Sequence, residues 1–480
     1  MGGHAFSSHV PPIETPRMTQ EVYDNALKQN QAVLRKFYSK VESAIEGPGK
    51  TTYGDVDILV ALPLEGAFSS KDQVGDVLKK ALNAKALLQD KGNPTINFVV
   101  PWPGDNIAGA KGGENLAEST DTSSASWYVQ VDVHICKSEH EFDWELFHSA
   151  HGDLWNIIGT TIRRFGLTIN NHAFFIRIPE IELADRKKSM VFLTDNPAEI
   201  LDFLGLDQEK WWKRFSTQQE MFEYAATCRM FWVRGVAENE ADGDATGVIA
   251  ERGQEGGAEG KKKLKHNDRQ RLVKRPIFRA WVDEFIPMCH EEGKYSDTKI
   301  TREQIRDEVF ERFGVKDEYE TRRHDWNLAR HLVEVMNDGI KANIPLDGGD
   351  NQMRSAATKV LKGVIMEGEL YEGAIPEAAI KDEDGFYNIR LVKLFVVENW
   401  RNAMKIGMAR QQAKAREAMK AKAEKKARAE RDSSFASKKD QSTNGVGQDL
   451  MPRQRLWPRV LRPRVLMAMR RKTGDHDHPQ

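Results

Sequence analysis

The run Gly54-Asp55-Val56-Asp57-Ile58-Leu59-Val60 constrains this chain more than any other stretch. Side chains on a strand alternate with a period of two, so Asp55 and Asp57 stand on one side of the backbone and Val56 and Ile58 on the other. Two carboxylates side by side on a buried strand repel each other and lose hydration. Something positive has to sit between them, most simply a divalent metal ion. A surface strand carrying two solvated acids would show the same pattern with no chemistry attached, so the decision rests on the rest of the chain.

A second strand bears on it. From Trp127 to Ile135 the residues alternate, with Val129, Val131, Val133 and Ile135 on one face and Tyr128, Gln130, Asp132 and His134 on the other. Asp132 therefore projects from an apolar strand as Asp55 and Asp57 do. Three such carboxylates suit two magnesium or manganese ions bridging a nucleoside triphosphate and an acceptor hydroxyl, because these ions take hard oxygen ligands and use few protein carboxylates. One ion lowers the pKa of the attacking hydroxyl and the other holds the triphosphate and its leaving pyrophosphate. Asp55 and Asp57 would serve both ions, and Asp132 would complete the site of the first. No protein nucleophile is needed, since phosphoryl transfer is mostly positioning and charge stabilisation. A turn with backbone amides aimed at the triphosphate is needed, and Gly2-Gly3 or Gly47 to Lys50 would supply one. Lys50 is either a phosphate ligand or an exposed lysine in a Gly-Pro-Gly turn.

At 480 residues the chain has room for two or three domains. Its formal net charge of -1 says little about partners, but Lys and Arg concentrate towards the C-terminal end. Cys136, Cys228 and Cys289 are widely spaced, which argues against a disulfide framework or structural zinc and suits a reducing compartment. No apolar run approaches the roughly 18 residues that span a bilayer, and the N-terminus lacks a signal-peptide pattern. The expectation is an intracellular protein of cytoplasm or nucleus without a membrane partner.

Periodicity predicts a helix from Thr19 to about Ile45, and a second helix after Ser70 and Gln73, which read as a capping box before Val74, Val77, Leu78, Ala81 and Leu82. Thr95 to Val100 reads as a strand, Gly104 to Ser126 as a loop, Trp144 to Arg164 as a helix hinged at Gly152, and His172 to Ile178 as a strand. The aromatic stretch Asn196 to Val233 reads as a packed helical core. The expected division is a first domain over 1–178, a helical extension over 179–236, a flexible linker with a basic run over 237–275, a helical domain over 276–408, a charged helix over 409–431 and a disordered basic tail over 432–480. The charged helix is poor in large apolar residues, which favours a single solvated helix over a paired coiled coil.

Met1-Gly2-Gly3, Asp55-Val56-Asp57 and Val131-Asp132-Val133 together resemble the signature of the polymerase-beta-like nucleotidyltransferase superfamily. That signature is an apolar residue with a Gly pair, an acid-apolar-acid strand, and a third acid between apolar residues on a later strand. Gly54 to Val60 is similar to the form seen in family X DNA polymerases, and Phe165 to Phe175 looks like the segment that closes their palm. The resemblance covers residues 1–178. It implies an α+β class, a palm-like mixed sheet with flanking helices, followed here by mainly α-helical domains. It also implies a nucleoside triphosphate as substrate, catalysis and metal binding by Asp55, Asp57 and Asp132, and nucleotide contacts from Gly2, Gly3, Gly54, Lys50 and Ser149. One departure is plain: a whole helix separates Gly3 from Asp55, where the family has a short connection.

Other polar groups read more simply. His134 shares a face with Asp132 as a half-buried strand residue. His148, His151 and Asp153 lack a zinc-ligand spacing. The basic segments 261–275 and 451–472 could hold a nucleic-acid backbone, and in the second Arg455, Arg459, Arg462 and Arg464 interleave with apolar residues. The rival to an enzyme is a catalytically inactive nucleic-acid-binding or scaffold protein that keeps the nucleotidyltransferase fold.

Overall fold

The computed structural model describes residues 3–11, 13–103, 127–233, 275–296, 300–345 and 351–440. The class is α+β, with a mixed five-stranded sheet and a mainly helical C-terminal region. Two compact units divide the chain, Met1–Val333 and Glu334–Gln480.

The first unit begins with helix α1 (Gln20–Leu34), where the Thr19 hydroxyl accepts from the Val22 amide as an N-cap. The helix expected to reach Ile45 stops here. Single-turn bonds from Lys36 to Val33 and from Phe37 to Leu34 reverse the chain, and Tyr38–Glu42 forms strand β1 instead. Tyr38 and Val41 are buried while Ser39 and Lys40 face out, and β1 pairs antiparallel with β2 (Asp55–Pro63). A partner strand outweighs the helical spacing at this point, because an edge on β2 offers hydrogen bonds that an isolated helix tail lacks.

Helix α2 (Val74–Ala81) follows a single 3-10 turn, and its N-cap is Gln73, without a side-chain cap. The capping box expected from Ser70 is thus not what starts the α-helix; the Gln73 amide donates to the Ser70 carbonyl. Strands β3 (Ala86–Leu88), β4 (Thr95–Pro101) and β5 (Tyr128–Ile135) complete a sheet of order β1-β2-β5-β4-β3. Only the β2–β5 pair is parallel. The loop expected over Gly104 to Ser126 lies outside the described residues. One face of this sheet, with Val56, Ile58, Val60, Ile96, Phe98, Val131 and Val133, is sealed by Tyr23, Ala26 and Leu34 of α1 and by Leu78 and Leu82. Its other face carries the acids.

Helices α3 (Glu139–Ser149) and α4 (Leu154–Arg163) are separated where a hinge was expected, through His151 and Gly152 at φ +59° and +61°. A three-stranded antiparallel sheet follows, β6 (Leu167–Ile169), β7 (Phe174–Arg177) and β8 (Met190–Thr194), with the short helix α5 (Pro179–Glu182) between β7 and β8. Of these only β7 falls within a stretch expected to be a strand, His172 to Ile178; β6 and β8 are short and gain their bonds from it. Helices α6 (Pro197–Leu204), α7 (Gln208–Trp211) and α8 (Gln218–Ala226) carry the aromatic stretch, as expected. Phe203, Trp211, Phe222 and Tyr224 share one core with α4, with β7 and with Phe278, Trp281 and Phe285 of a helical segment that starts at Pro276. That segment comprises α9 (Pro276–Ala280), a π-helical turn and α10 (Ile286–Glu291), and the unit continues through α11 (Arg302–Phe313) and α12 (Lys316–Glu334).

In the second unit, helix α13 (Asn351–Met366) packs along α14 (Ile389–Asp440), which continues unbroken past Arg431. Residues 432–440 are thus helical, and the remainder of the expected tail lies outside the described residues. Among the described residues, no helix is long and apolar enough to cross a membrane.

Candidate active site

Register decides which acids meet. In the parallel β2–β5 pair Asp57 lies level with Asp132, and Asp55 lies level with Gln130. On the far side of β5, Asn97 of β4 is level with Asp132 and Thr95 with His134. Because all of these have the parity opposite to Val56, Ile58, Ile96, Phe98, Val131 and Val133, they share the acid face of the sheet. The turn between α3 and α4 closes over it: the His151 amide donates to the Ile45 carbonyl at 2.6 Å, and a Cβ on Gly47 would lie 3.1 Å from the His151 carbonyl oxygen. Ser149 and Gly152 are thereby brought over the strand ends.

The result is a cleft of about 380 Å³ lined by Asp57, Asp132, Lys50, His134, Ser149, Glu46 and Glu145, among others. Four carboxylates face it against one lysine. Asp57 reaches solvent at the cleft, yet protein atoms surround it closely on the other sides. This loss of hydration, with the charges of Asp55 and Asp132, pushes its carboxyl up to about 7. Asp132 is raised as well, by burial first, with bonds from Asn97 and Gln130 partly opposing. Lys50 is committed: its Nζ pairs with Glu46 Oε2 at 2.5 Å and sits 5.3 Å from the Tyr53 ring centre.

The predicted site residues do not all fare alike. Asp57, Asp132, Lys50 and Ser149 line one cleft, and Asp55 joins them through its charge on both other aspartates. The Gly3 amide donates to Asp55 Oδ2 at 3.2 Å. Gly3, at φ +86°, presses so close to Gly54 that a Cβ on it would stand 2.3 Å from the Gly54 carbonyl oxygen. Although α1 lies between them in sequence, Gly3 sits beside Asp55, because the chain returns through an antiparallel bridge between Met18 and Tyr53. Gly2 lies outside the described residues, as do the basic segments except Arg275.

Sequence reasoning missed four neighbours: Gln130, Asn97, Glu46 and Glu145. The parity of Gln130 with Asp132 is visible in the sequence, whereas Asn97 is found only through the β4–β5 register and Glu46 and Glu145 only through tertiary packing. His151 is structural. Its Nε2 donates to the Trp211 carbonyl at 2.6 Å, and Asp153 pairs with Arg275.

The donor set, hard carboxylate oxygens with an excess of like charge, fits a divalent cation such as magnesium or manganese. The geometry is less complete. Among the described residues, no group of three or more His, Cys, Asp or Glu side chains is gathered so as to hold a metal ion. Asp132 is engaged instead by Gln130, and Asp55 by Gly3.

No protein-family model matches the chain. No curated protein sequence matches it either. Among solved structures, the chain is similar to crystal structures of Leishmania infantum polymerase beta in a ternary P/T complex and in a ternary gap complex. Identity is 12% in both, covering 42% of this chain and 77% and 71% of those chains, at a TM-score of 0.27. A superposition of that extent carries no argument about chemistry, which has to come from the cleft itself.

Proposed function

We propose that the cleft is the site of a metal-dependent nucleotidyltransferase, which moves a nucleoside monophosphate from a nucleoside triphosphate to a hydroxyl acceptor. The observation that carries this reading is the register of Asp57 against Asp132 with Asp55 two residues along, in a cleft whose charge is unbalanced without a bound cation. Asp55 and Asp57 would hold magnesium or manganese, with Asp132 as the third ligand. Bound there, the ions supply positive charge to the triphosphate and acidify the acceptor hydroxyl. In the reaction the hydroxyl gives its proton to water, its oxygen bonds to the α-phosphorus, the bond to the bridging oxygen breaks, and pyrophosphate leaves with that electron pair.

The chain's own groups have supporting roles in this reading. Here the Gly2-Gly3 backbone is the candidate for phosphate contacts, the Gly3 amide exchanging Asp55 for phosphate; Lys50 offers its charge after exchanging Glu46 for phosphate, and Ser149, which lines the same cleft, approaches the nucleoside. The helical segments and the basic segments 261–275 and 451–472 would hold the acceptor, with nucleic acid favoured by their charge. With a nucleoside triphosphate as substrate, the reading is of an intracellular protein, of cytoplasm or nucleus. The pairing of Lys50, the lysine that lines the cleft, with Glu46 favours one other reading, a catalytically inactive binding or scaffold protein that keeps the fold.

Incubation with each labelled nucleoside triphosphate, manganese or magnesium, and pooled cellular RNA and protein separates the two. Wild type is expected to label an acceptor and the Asp55→Asn/Asp57→Asn variant to lose at least about a hundredfold of that activity, comparable with removing a main source of transition-state charge stabilisation. Labelling that survives the double substitution places the chemistry elsewhere, and no labelling with any acceptor favours the scaffold. RNA affinity that weakens with salt and is lost on deleting Met451 to Gln480 would support the role of the tail.

A further inference from the structure

We infer that Gln130 is the positioning residue for the third carboxylate, Asp132, and that an N-terminal strap, Gly3 to Ala5, is what positions Gln130. This inference rests on the cation-binding reading of the cleft. Gln130 is 3% exposed, and every polar atom of its side chain is used. Its Nε2 donates to Asp132 Oδ1 at 3.0 Å and to Oδ2 at 3.1 Å, and its Oε1 accepts from the Ala5 amide at 3.0 Å. The amide orientation is therefore set by the strap: with the oxygen held by Ala5, only the nitrogen can face the carboxylate.

The strap is itself anchored. Phe6 is fully buried in a small core with Ile13, Ala86 and Val99, and the Thr15 hydroxyl donates to the Gly3 carbonyl at 2.6 Å. From this anchored position the Gly3 amide reaches Asp55 at 3.2 Å. Two of the three carboxylates are thus held by the strap, Asp55 directly and Asp132 through Gln130. Asp57 has no side-chain hydrogen bond among the described residues, which leaves it the most open to a cation.

A carboxylate has about four lone-pair directions, so two bonds from the Gln130 amide and one from Asn97 still leave one for a cation. Gln130 therefore orients Asp132 without blocking it, in the way that outer partners orient metal ligands generally. A methionine at this position keeps the volume and removes both functions of the amide.

The test is manganese binding to the full chain, read from the electron paramagnetic resonance of free Mn2+ at one fixed pH, with thermal melts of the cation-free proteins alongside. Gln130→Met is expected to weaken binding about 10–100-fold, the usual cost of losing such a partner. Asp132→Asn weakens it too, and the double variant is expected to bind no more weakly than Asp132→Asn alone, because Gln130 acts through Asp132. A Gln130→Met penalty that persists undiminished in the Asp132→Asn background marks a general structural effect and overturns the inference. Ala5→Pro, which removes the amide proton that orients Gln130, gives a second reading should Gln130→Met fail to fold, with the thermal melt of the cation-free variant checking that the strap stays in place. Wild-type binding that is abolished by Asp57→Asn and untouched by Gln130→Met and Ala5→Pro leaves the cation site standing and this inference refuted. Absence of manganese binding in wild type overturns both.

Discussion

Asp57 is where the charge problem of this fold concentrates. Its carboxyl is pushed from an ordinary 3.8 to about 7 by lost hydration, then by Asp55 and Asp132. Between those two values the folded chain holds a proton that the unfolded chain has released, so stability falls as pH rises through that window. Without divalent cation, Asp57→Asn is therefore expected to melt higher than wild type at pH 8, with the difference shrinking towards pH 4. Melting curves in chelator across that range check it, and parallel pH profiles for the two proteins would contradict the assignment. Manganese should stabilise wild type more at pH 8 than at pH 5, because the cation competes with the proton for Asp57. The acid-apolar-acid pattern was enough to single out this residue. The carboxyl's elevated pKa was not legible, because it depends first on how closely the fold surrounds the group, and in part on Asp132, which is seventy-five positions away in sequence and level with it only in register.

At the scale of elements, the helices and the two acid strands were largely legible, and the short strands were not. Strand β2 and strand β5 alternate strongly enough to read alone, and the break between α3 and α4 follows from Gly152. Strand β1 was hidden by a helical spacing that runs on past Leu34, and β3, β6 and β8 have at most five residues each, too few for a period to show. Close helix contact was also hidden. Gly407 in α14 lies against α13, where an added Cβ would stand 2.5 Å from the Ala356 carbonyl oxygen. Gly407→Val is expected to force the two helices apart and to destabilise the second unit by about 1–3 kcal/mol, the usual cost of overpacking. Chemical denaturation followed by far-ultraviolet circular dichroism measures this; an unchanged midpoint would mean that the helices are not held as closely as described.

Over the whole molecule, the first unit gathers aromatic side chains from distant parts of the chain. Trp281 stacks on Phe285 at 4.8 Å and meets Phe222 edge-on at 5.5 Å, in the same core as Trp155 and Trp211. Trp281→Ala is accordingly expected to cost about 3–5 kcal/mol. It should also raise hydrogen exchange in α4, far away in sequence, and full protection there would refute a shared core. Composition and period place these residues in helices without telling that the helices before and after residues 234–274 pack together, since side-chain contacts across such a separation leave no local pattern.

The sequence by itself determined that Asp55, Asp57 and Asp132 project from apolar strands, because parity along a strand is a local property of the backbone. It also marked the α3–α4 break and the aromatic helices, again from local spacing. Only the tertiary structure decided that β2 and β5 are parallel neighbours, that Gly3 comes back to Asp55 despite the helix between them, and that Gln130 and Asn97 hold Asp132. Those depend on hydrogen-bond register and on which surfaces are buried together, and neither quantity is carried by any short stretch of the chain.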